Sequence, residues 1–546
     1  MKLNIDYYEN DIILPSEFEK EIIKKEEFFD TEKEELSYEQ LEYSEKLKNN
    51  ILSWYPLKKN ANILEISLDL GEFTGTLCSM ANKVTRIEFS KSKAEYLSKR
   101  YENLNNLEII VGNLKKIVFK NKFDYIVLIG NLEYSKTLFD TENPEVELFK
   151  LLEKLLTRKG KILFITENKF SAQKIAFDSI LEENLSKNEI LDILNMTKFK
   201  YNKFYYIFPN YKFANVIFSD EYLPNENNTR LDYLRINNEK NEIIYNEKDI
   251  LKQAIKNNEF DFFANNFFIE ISRRKDFIDK KPIFITYNII RKEKFQLATK
   301  IYRNKVIKTN ISNTNQSHLN NLVNNLNILF ELEVNTIEKN KQNKYIKSIF
   351  VKEKTFDNVL VNLIKENKIE EFYKNIDEWI KYIKSKLTIS KEIKENIFSY
   401  FDIELDKDIS SSMNFIKEGL IDLVYENTFK LEDGFYIFDQ EWYFENTPIE
   451  FIIYRAIKNL YAYNKYIKET IPFEEICEKY KISKYIEKFI ELETAIQDYV
   501  SDSKIKKLYL KNMKNKIIED KEEYKANLNE NLKKIIEKKE QNNEEN

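Results

Sequence analysis

Two sets of residues in this chain have the types and spacings that chemistry demands. The first begins with Glu65-Ile66-Ser67-Leu68-Asp69-Leu70-Gly71, which closes an apolar run. A strand that turns into a helix close to a ligand wants bare backbone and φ > 0, which glycine supplies. Glu88, at the end of Val84-Thr85-Arg86-Ile87, stands where one carboxylate accepts both hydroxyls of a ribose. Asn113, after Val111-Gly112, brings an amide to where an adenine edge would lie. In a doubly wound sheet these positions border one crevice beyond the carboxyl ends of the strands. Glu133 and Glu167 follow the next two apolar runs and sit at the same edge. They are candidates for a general base, because the only histidine, His318, is far away in the sequence.

The second set is Asp422 and Asn427, five residues apart, with Asp439 twelve residues further on. Phosphoryl transfer to a hydroxyl needs a base for the attacking oxygen, an amide for one Mg²⁺ and a carboxylate for the metal ions. Lys308, in the strand-like Val306-Ile307-Lys308, is a candidate for the phosphate contact. No glycine occurs between Gly160 and Gly419, so no glycine-rich loop covers the phosphates. The helix expected after Lys308 (Gln316–Leu329) carries no acid to pair with it, which predicts a poorly positioned lysine.

These residues need elements to hold them. Short apolar runs predict strands at Ala61–Leu68, Lys83–Phe89, Leu107–Val111, Phe123–Ile129 and Lys161–Thr166. Helices are expected at Gly71–Asn82, Ser90–Tyr101 and Val146–Leu156. Apolar strands separated by helical crossovers predict a parallel sheet covered on both faces. Phe204–Pro209 and Ala214–Phe218 are expected to close it as an antiparallel pair. The sequence thus predicts a helical segment at 1–50, an α/β domain at 51–225, a polar linker at 226–258, an α+β domain at 259–464 and a charged helical region at 465–546. In the last, Ile517, Tyr524, Leu528 and Ile535 form a short heptad-like face.

Composition narrows the classes. The 546 residues are 42% hydrophobic, enough for large cores, and 87 basic against 92 acidic residues leave a net charge of −5. That balance lacks the basic excess of a nucleic-acid binder. The two cysteines have no metal spacing and point to a reducing compartment. Lys2 to Asp6 does not read as a secretory leader, and no apolar run nears the ~20 residues that span a bilayer. A cytoplasmic protein, or one peripheral to a membrane, is expected. Seven glycines is a low count, and five of them lie between residues 71 and 160, which marks that stretch.

The first set resembles the opening motif of class I S-adenosylmethionine-dependent methyltransferases, an acid followed by three glycines at alternate positions. Glu65 matches the acid, Ser67 and Asp69 replace two glycines, and Gly71 keeps the third. The resemblance implies a Rossmann-like sheet with S-adenosylmethionine held by Glu65, Ser67, Asp69, Gly71, Glu88, Asn113 and Gly130. Asp69 adds a side chain and a negative charge near the expected place of the cofactor's carboxylate. Asn50–Pro56, Phe123–Gly130, Glu167–Phe170 and Ile217–Pro224 are similar to methyltransferases of bacterial surface-polysaccharide clusters. The second set resembles small-molecule kinases, in which the metal-binding Asp is followed by an acid and an aromatic (here Glu441-Trp442). On that match Asp422 is the base, Asn427 and Asp439 bind Mg²⁺, and Lys308 contacts ATP. Together they resemble the methyltransferase–kinases that terminate polymannose O-antigen chains. Three functions are implied: methylation of a cell-surface glycan or lipid-linked precursor, scaffolding of glycosyltransferases through C-terminal helices by a degenerate protein, or glycan phosphorylation.

Overall fold

The computed structural model describes residues 1–26, 48–177, 184–225, 245–275, 281–311, 316–341, 345–391, 393 and 395–503. The heptad-like positions from Ile517 to Ile535, and much of the expected N-terminal helix and linker, lie outside them. The chain divides into two compact units. Among described residues the first comprises 1–214 and 245–275, the second 215–225 and 281–503.

The first unit holds β1 (Lys2–Tyr7), β2 (Asn62–Ser67), β3 (Lys83–Glu88), β4 (Leu107–Gly112), β5 (Phe123–Ile129), β6 (Leu156–Glu167) and β7 (Tyr201–Phe208). Val216–Ser219 (β8) falls in the second unit and Asn266–Ser272 (β9) returns to the first. The order is β1-β4-β3-β2-β5-β6-β9-β7. Strands β1 to β6 are parallel to their neighbours, and β9 runs antiparallel to both β6 and β7. Helices Thr74–Met80, Lys91–Arg100 and Pro144–Leu155 make the crossovers, the last opened by a proline at its first turn. Ile63, Leu64, Ile87, Ile109, Val127 and Leu128 are wholly buried, as strands covered on both faces must be.

Three expectations change here. The strand that reverses the sheet is β9, not Ala214–Phe218. Phe267, Phe268, Ile269 and Ile271 are buried there, and Glu270 is buried against Lys161 at 2.7 Å. The expected domain limits at 225 and 259 therefore do not match the division of the chain. The N-terminal segment is not one helix. It begins with β1 on the edge of β4, followed by helix Glu17–Lys25, opened by a capping box of Ser16 and Glu19.

In the second unit, β8, β10 (Phe284–Tyr287), β11 (Leu297–Tyr302), β12 (Lys305–Asn310), β14 (Tyr345–Ile349) and β13 (Glu338–Lys341) follow one another in an antiparallel sheet. Helix Gln316–Glu331 connects β12 to β13. Beyond residue 350 the chain is mainly helical, interrupted by the hairpin of β16 (Thr428–Leu431) and β17 (Gly434–Ile437) and by a short pair, β15 (Phe415–Ile416) with β18 (Thr447–Pro448). Residues 465–503 are not a solvated charged extension: Ile476, Cys477, Phe489 and Leu492 are wholly buried in the same core as Trp379 and Phe451. No helix among the described residues is long and apolar enough to cross a membrane.

Candidate functional site

The switch point of the first unit lies where β2 is flanked by β3 on one side and β5 on the other, so the ligand crevice of such a sheet opens above their carboxyl ends. Glu65, Ser67, Asp69, Gly71 and Glu88 gather there around a residue the motif did not point to, Arg86. In the register of β2 and β3, Glu65 stands opposite Arg86. Two residues on, Glu88 lies on the same face of the strand. The guanidinium is wholly buried. Its Nη1 lies 2.7 Å from Glu65 Oε1 and 3.1 Å from Asp69 Oδ1, and its Nη2 lies 3.3 Å from Glu88 Oε2. Thr74 donates a further hydrogen bond to Glu65 at 2.9 Å.

The loop itself is closed on every carbonyl. Arg86 donates to Ser67 O and Asp69 O, Lys93 to Leu68 O at 2.6 Å, Arg100 to Leu70 O at 2.8 Å and Tyr101 to Gly71 O at 2.7 Å. Ser67 donates to Asp69 Oδ2, and the Gly71 amide donates to Asp69 Oδ1 at 2.7 Å. The Asp69 side chain thus makes the turn that a glycine would have left bare. Gly71 has φ +87°, and a Cβ there would stand 2.4 Å from Leu97, so glycine is kept for conformation and space together.

Charge follows burial. Burial pushes Glu65 up to about 7, with Arg86 pulling the other way. Burial also raises Glu88, against Arg86 and Lys93. Asp69 is held below the ordinary range: burial raises it, but Arg86, the Ser67 hydroxyl and the Gly71 amide outweigh that. Burial would lower Arg86, yet the carboxylates of Glu65, Asp69 and Glu88 hold it charged.

The strand order decides the architecture: six parallel strands with a crossover at β2, then a reversed strand inserted before the last. The first unit has a fold broadly similar to class I S-adenosylmethionine-dependent methyltransferases. No family model matches the chain. A curated protein from Methanosarcina acetivorans, named "Probable ribosomal RNA small subunit methyltransferase A", is 34% identical over 79 residues, covering 14% of this chain and 28% of that protein. The chain therefore spans little more than a quarter of that relative's length. Among solved structures, the N-methyltransferase NodS from Bradyrhizobium japonicum is 15% identical, covering 28% of this chain and 83% of its own, with a TM-score of 0.24. A phosphoethanolamine N-methyltransferase of Haemonchus contortus is 21% identical, covering 28% and 32%, with a TM-score of 0.22.

The backbone of the crevice suits a nucleoside better than its side chains do. Gly130 ends β5 with φ +94°, and a Cβ there would meet nothing within 4 Å. Asn113 is half-buried, its Oδ1 accepting from the Lys115 amide. Glu88, however, is 1% exposed. Its Oε1 accepts from the amides of Phe89 and Ser90, and its Oε2 faces Arg86, so no oxygen is presented to a ribose. As these side chains stand, Glu88 and Asp69 are held by Arg86, and a nucleoside would have to exchange with it. Glu133 is exposed beside Asn131, and Glu167 is drawn to Lys174 at 2.9 Å, so neither joins the Arg86 cluster.

In the second unit the structure brings Lys308, Asp422, Asn427 and Asp439 together, with Glu441, Glu338, Arg291, His318 and Arg455 around them. Lys308 Nζ bonds Asp439 Oδ1 and lies 2.6 Å from Glu441 Oε1. Arg291 bonds the other oxygen of Glu441, and His318 Nε2 lies 3.5 Å from it. Glu338 accepts from the Asp439 amide at 3.1 Å. Asn427 donates its amide to Asp422 O and Asp439 O, at 3.2 and 3.3 Å, tying the two loops. Asp422 Oδ2 accepts from the amides of Glu441 and Trp442, and its Oδ1 faces Arg455 at 3.3 Å. Burial pushes both Asp422 and Glu338 up to about 7. The lysine expected to lack a partner is in fact held firmly, by acids that follow β17 rather than by one on the helix.

Asp439 is the most open carboxylate of this group, its side chain 32% exposed against 13% for Asp422 and 5% for Glu441. Among the described residues no group of three or more His, Cys, Asp or Glu is arranged to hold a metal alone. Magnesium on a nucleotide needs only one or two carboxylates, because phosphates and water complete its shell. Asp439 Oδ1 is taken by Lys308, and the Asn427 amide nitrogen is spent on the Asp422 and Asp439 carbonyls.

Proposed function

We propose that the second unit is a phosphotransferase, passing the terminal phosphoryl group of a magnesium nucleoside triphosphate to a hydroxyl of a glycan or lipid-linked glycan acceptor. One observation carries the reading: Lys308, Asp422, Asn427 and Asp439, drawn from three separate segments, meet in one largely buried acidic cluster with a single open carboxylate. In this reading Lys308 would contact the phosphates, and Asp439 and Asn427 would hold the Mg²⁺ that supplies charge screening there. Asp422, with its proton affinity near neutrality, accepts the acceptor's proton. In-line placement supplies the rest of the acceleration. The test is nucleotide consumption by the full chain with Mg²⁺ and a panel of saccharide acceptors. Asp439→Asn is expected to lose activity at least a hundredfold, and an Asp439→Asn protein as active as wild type would end this reading.

A second reading, methyl transfer to the same class of acceptor by the first unit, is favoured by its strand order and by the open backbone at Gly130. It requires Glu88 and Asp69 to exchange Arg86 for cofactor. Titration calorimetry with S-adenosylhomocysteine decides it, and an absence of heat at millimolar ligand would reject it. If neither unit binds its ligand, scaffolding of glycosyltransferases is what is left.

A further inference from the structure

In the phosphotransferase reading, the lysine that meets the phosphates must be held by an acid, and helix Gln316–Glu331, which follows its strand, carries none facing it. We infer that Glu441 is the positioning residue for Lys308, taking over from a different element the work a helix carboxylate would do. The inference rests on the phosphotransferase reading and adds to it the residue that sets the lysine.

Three elements converge on this carboxylate. Its Oε1 receives Lys308 from β12 at 2.6 Å. Its Oε2 receives Arg291, from the segment before β11, and faces His318 Nε2 at 3.5 Å. His318 lies on the very helix that lacks the acid, packed between Phe295, edge to face, and a tilted Trp442, with ring centroids 5.2 and 4.8 Å away. The same helix grips the next residue back, since Asn325 donates to Gln440 O at 3.1 Å. The Glu441 amide donates to Asp422 Oδ2 at 3.0 Å, which fixes the main chain beneath the side chain. Glu441 is 5% exposed, so it is placed to hold a cation and not to reach a ligand. Asp439, its neighbour on the lysine, is the open one. When a metal nucleotide draws Asp439 away, Lys308 keeps one fixed partner, and the helix still sets the lysine's position through His318 and Asn325.

The experiment is titration calorimetry of the full-length protein with AMP-PNP and Mg²⁺, on wild type, Lys308→Met, Glu441→Gln, Glu441→Asp and the double variant Lys308→Met/Glu441→Gln. Circular dichroism checks each fold. Lys308→Met is expected to weaken binding about tenfold or more. Glu441→Gln is expected to weaken it to the same extent, the double variant no further than either single one, and Glu441→Asp to restore part of the loss. Should Glu441→Gln fail to fold, Arg291→Met replaces it, leaving the carboxylate present but unclamped, with a smaller loss expected in the same direction. If wild type binds and the losses of Lys308 and Glu441 simply multiply, or Glu441→Gln binds as wild type does, the positioning role is overturned while phosphotransfer stands. If wild type gives no heat with AMP-PNP, the phosphotransferase reading falls and this inference with it.

Discussion

Replacing Arg86 with methionine removes one cation from three carboxylates while keeping much of the buried volume. Breaking a buried ion pair by deleting one partner costs about 3–5 kcal/mol, because the other partner is left charged in a low dielectric. Here the cost depends on pH. In wild type, Glu65 is raised from 4.5 to about 7. The folded state thus holds a proton between pH 4.5 and 7 that the unfolded chain has lost. Stability from this group is greatest below that window and falls as pH rises through it, by at most about 1.4 kcal/mol per pH unit. Without Arg86, Glu65 and Glu88 rise further, and Asp69, held low by the arginine, moves up as well. Near pH 5 protons replace the guanidinium, and the variant should lose only about 1–2 kcal/mol, chiefly from the bonds to Ser67 O and Asp69 O. At pH 8 each carboxyl must either stay charged without its partner or take up a proton that the unfolded chain has lost, and the loss should reach about 3–5 kcal/mol. Urea unfolding followed by circular dichroism at both pH values measures the difference. Equal losses at pH 5 and pH 8, or a wild-type midpoint, would refute the account of the cluster.

Other expectations follow from the same geometry. Gly71→Ala should lower stability by about 1–3 kcal/mol in a denaturation curve, since it combines φ +87° with a Cβ 2.4 Å from Leu97. Lys161→Met, which takes the cation from Glu270 inside β9, should cost about 3–5 kcal/mol, and Lys161→Met/Glu270→Leu should recover most of it.

The central strands were legible because Ile63-Leu64, Ile87, Ile109-Ile110 and Tyr125–Ile129 are apolar where both faces of a sheet are covered. The reversed strand was missed because Phe267–Ile271 lies past a polar stretch, and its one charged residue, Glu270, has a partner more than a hundred residues earlier. The same holds for residues 465–500, where Phe489, Leu492 and Ile496 supply a core from between lysines and glutamates whose stems tolerate burial. At the first site, spacing placed Glu65, Gly71 and Glu88 at the crevice but passed over Arg86. The signal was present: an arginine inside an apolar strand, two residues from one acid, in a stretch with two more acids nearby, is a cation in search of them. At the second, the spacing found Asp422, Asn427 and Asp439, whereas Glu441 and Glu338 needed the fold to bring them to Lys308.

The closed loop between Ser67 and Gly71 also bears on how the chain could change. Returning Asp69 to glycine alone would deprive Arg86 of one carboxylate and the Gly71 amide of its acceptor. Removing Arg86 alone would strand Glu65 and Glu88. Each single step toward an open crevice gives a less stable protein, because Arg86, Asp69, Glu65 and Glu88 each depend on the others. The arginine therefore works as a latch that opens only when several of the groups around it change at once.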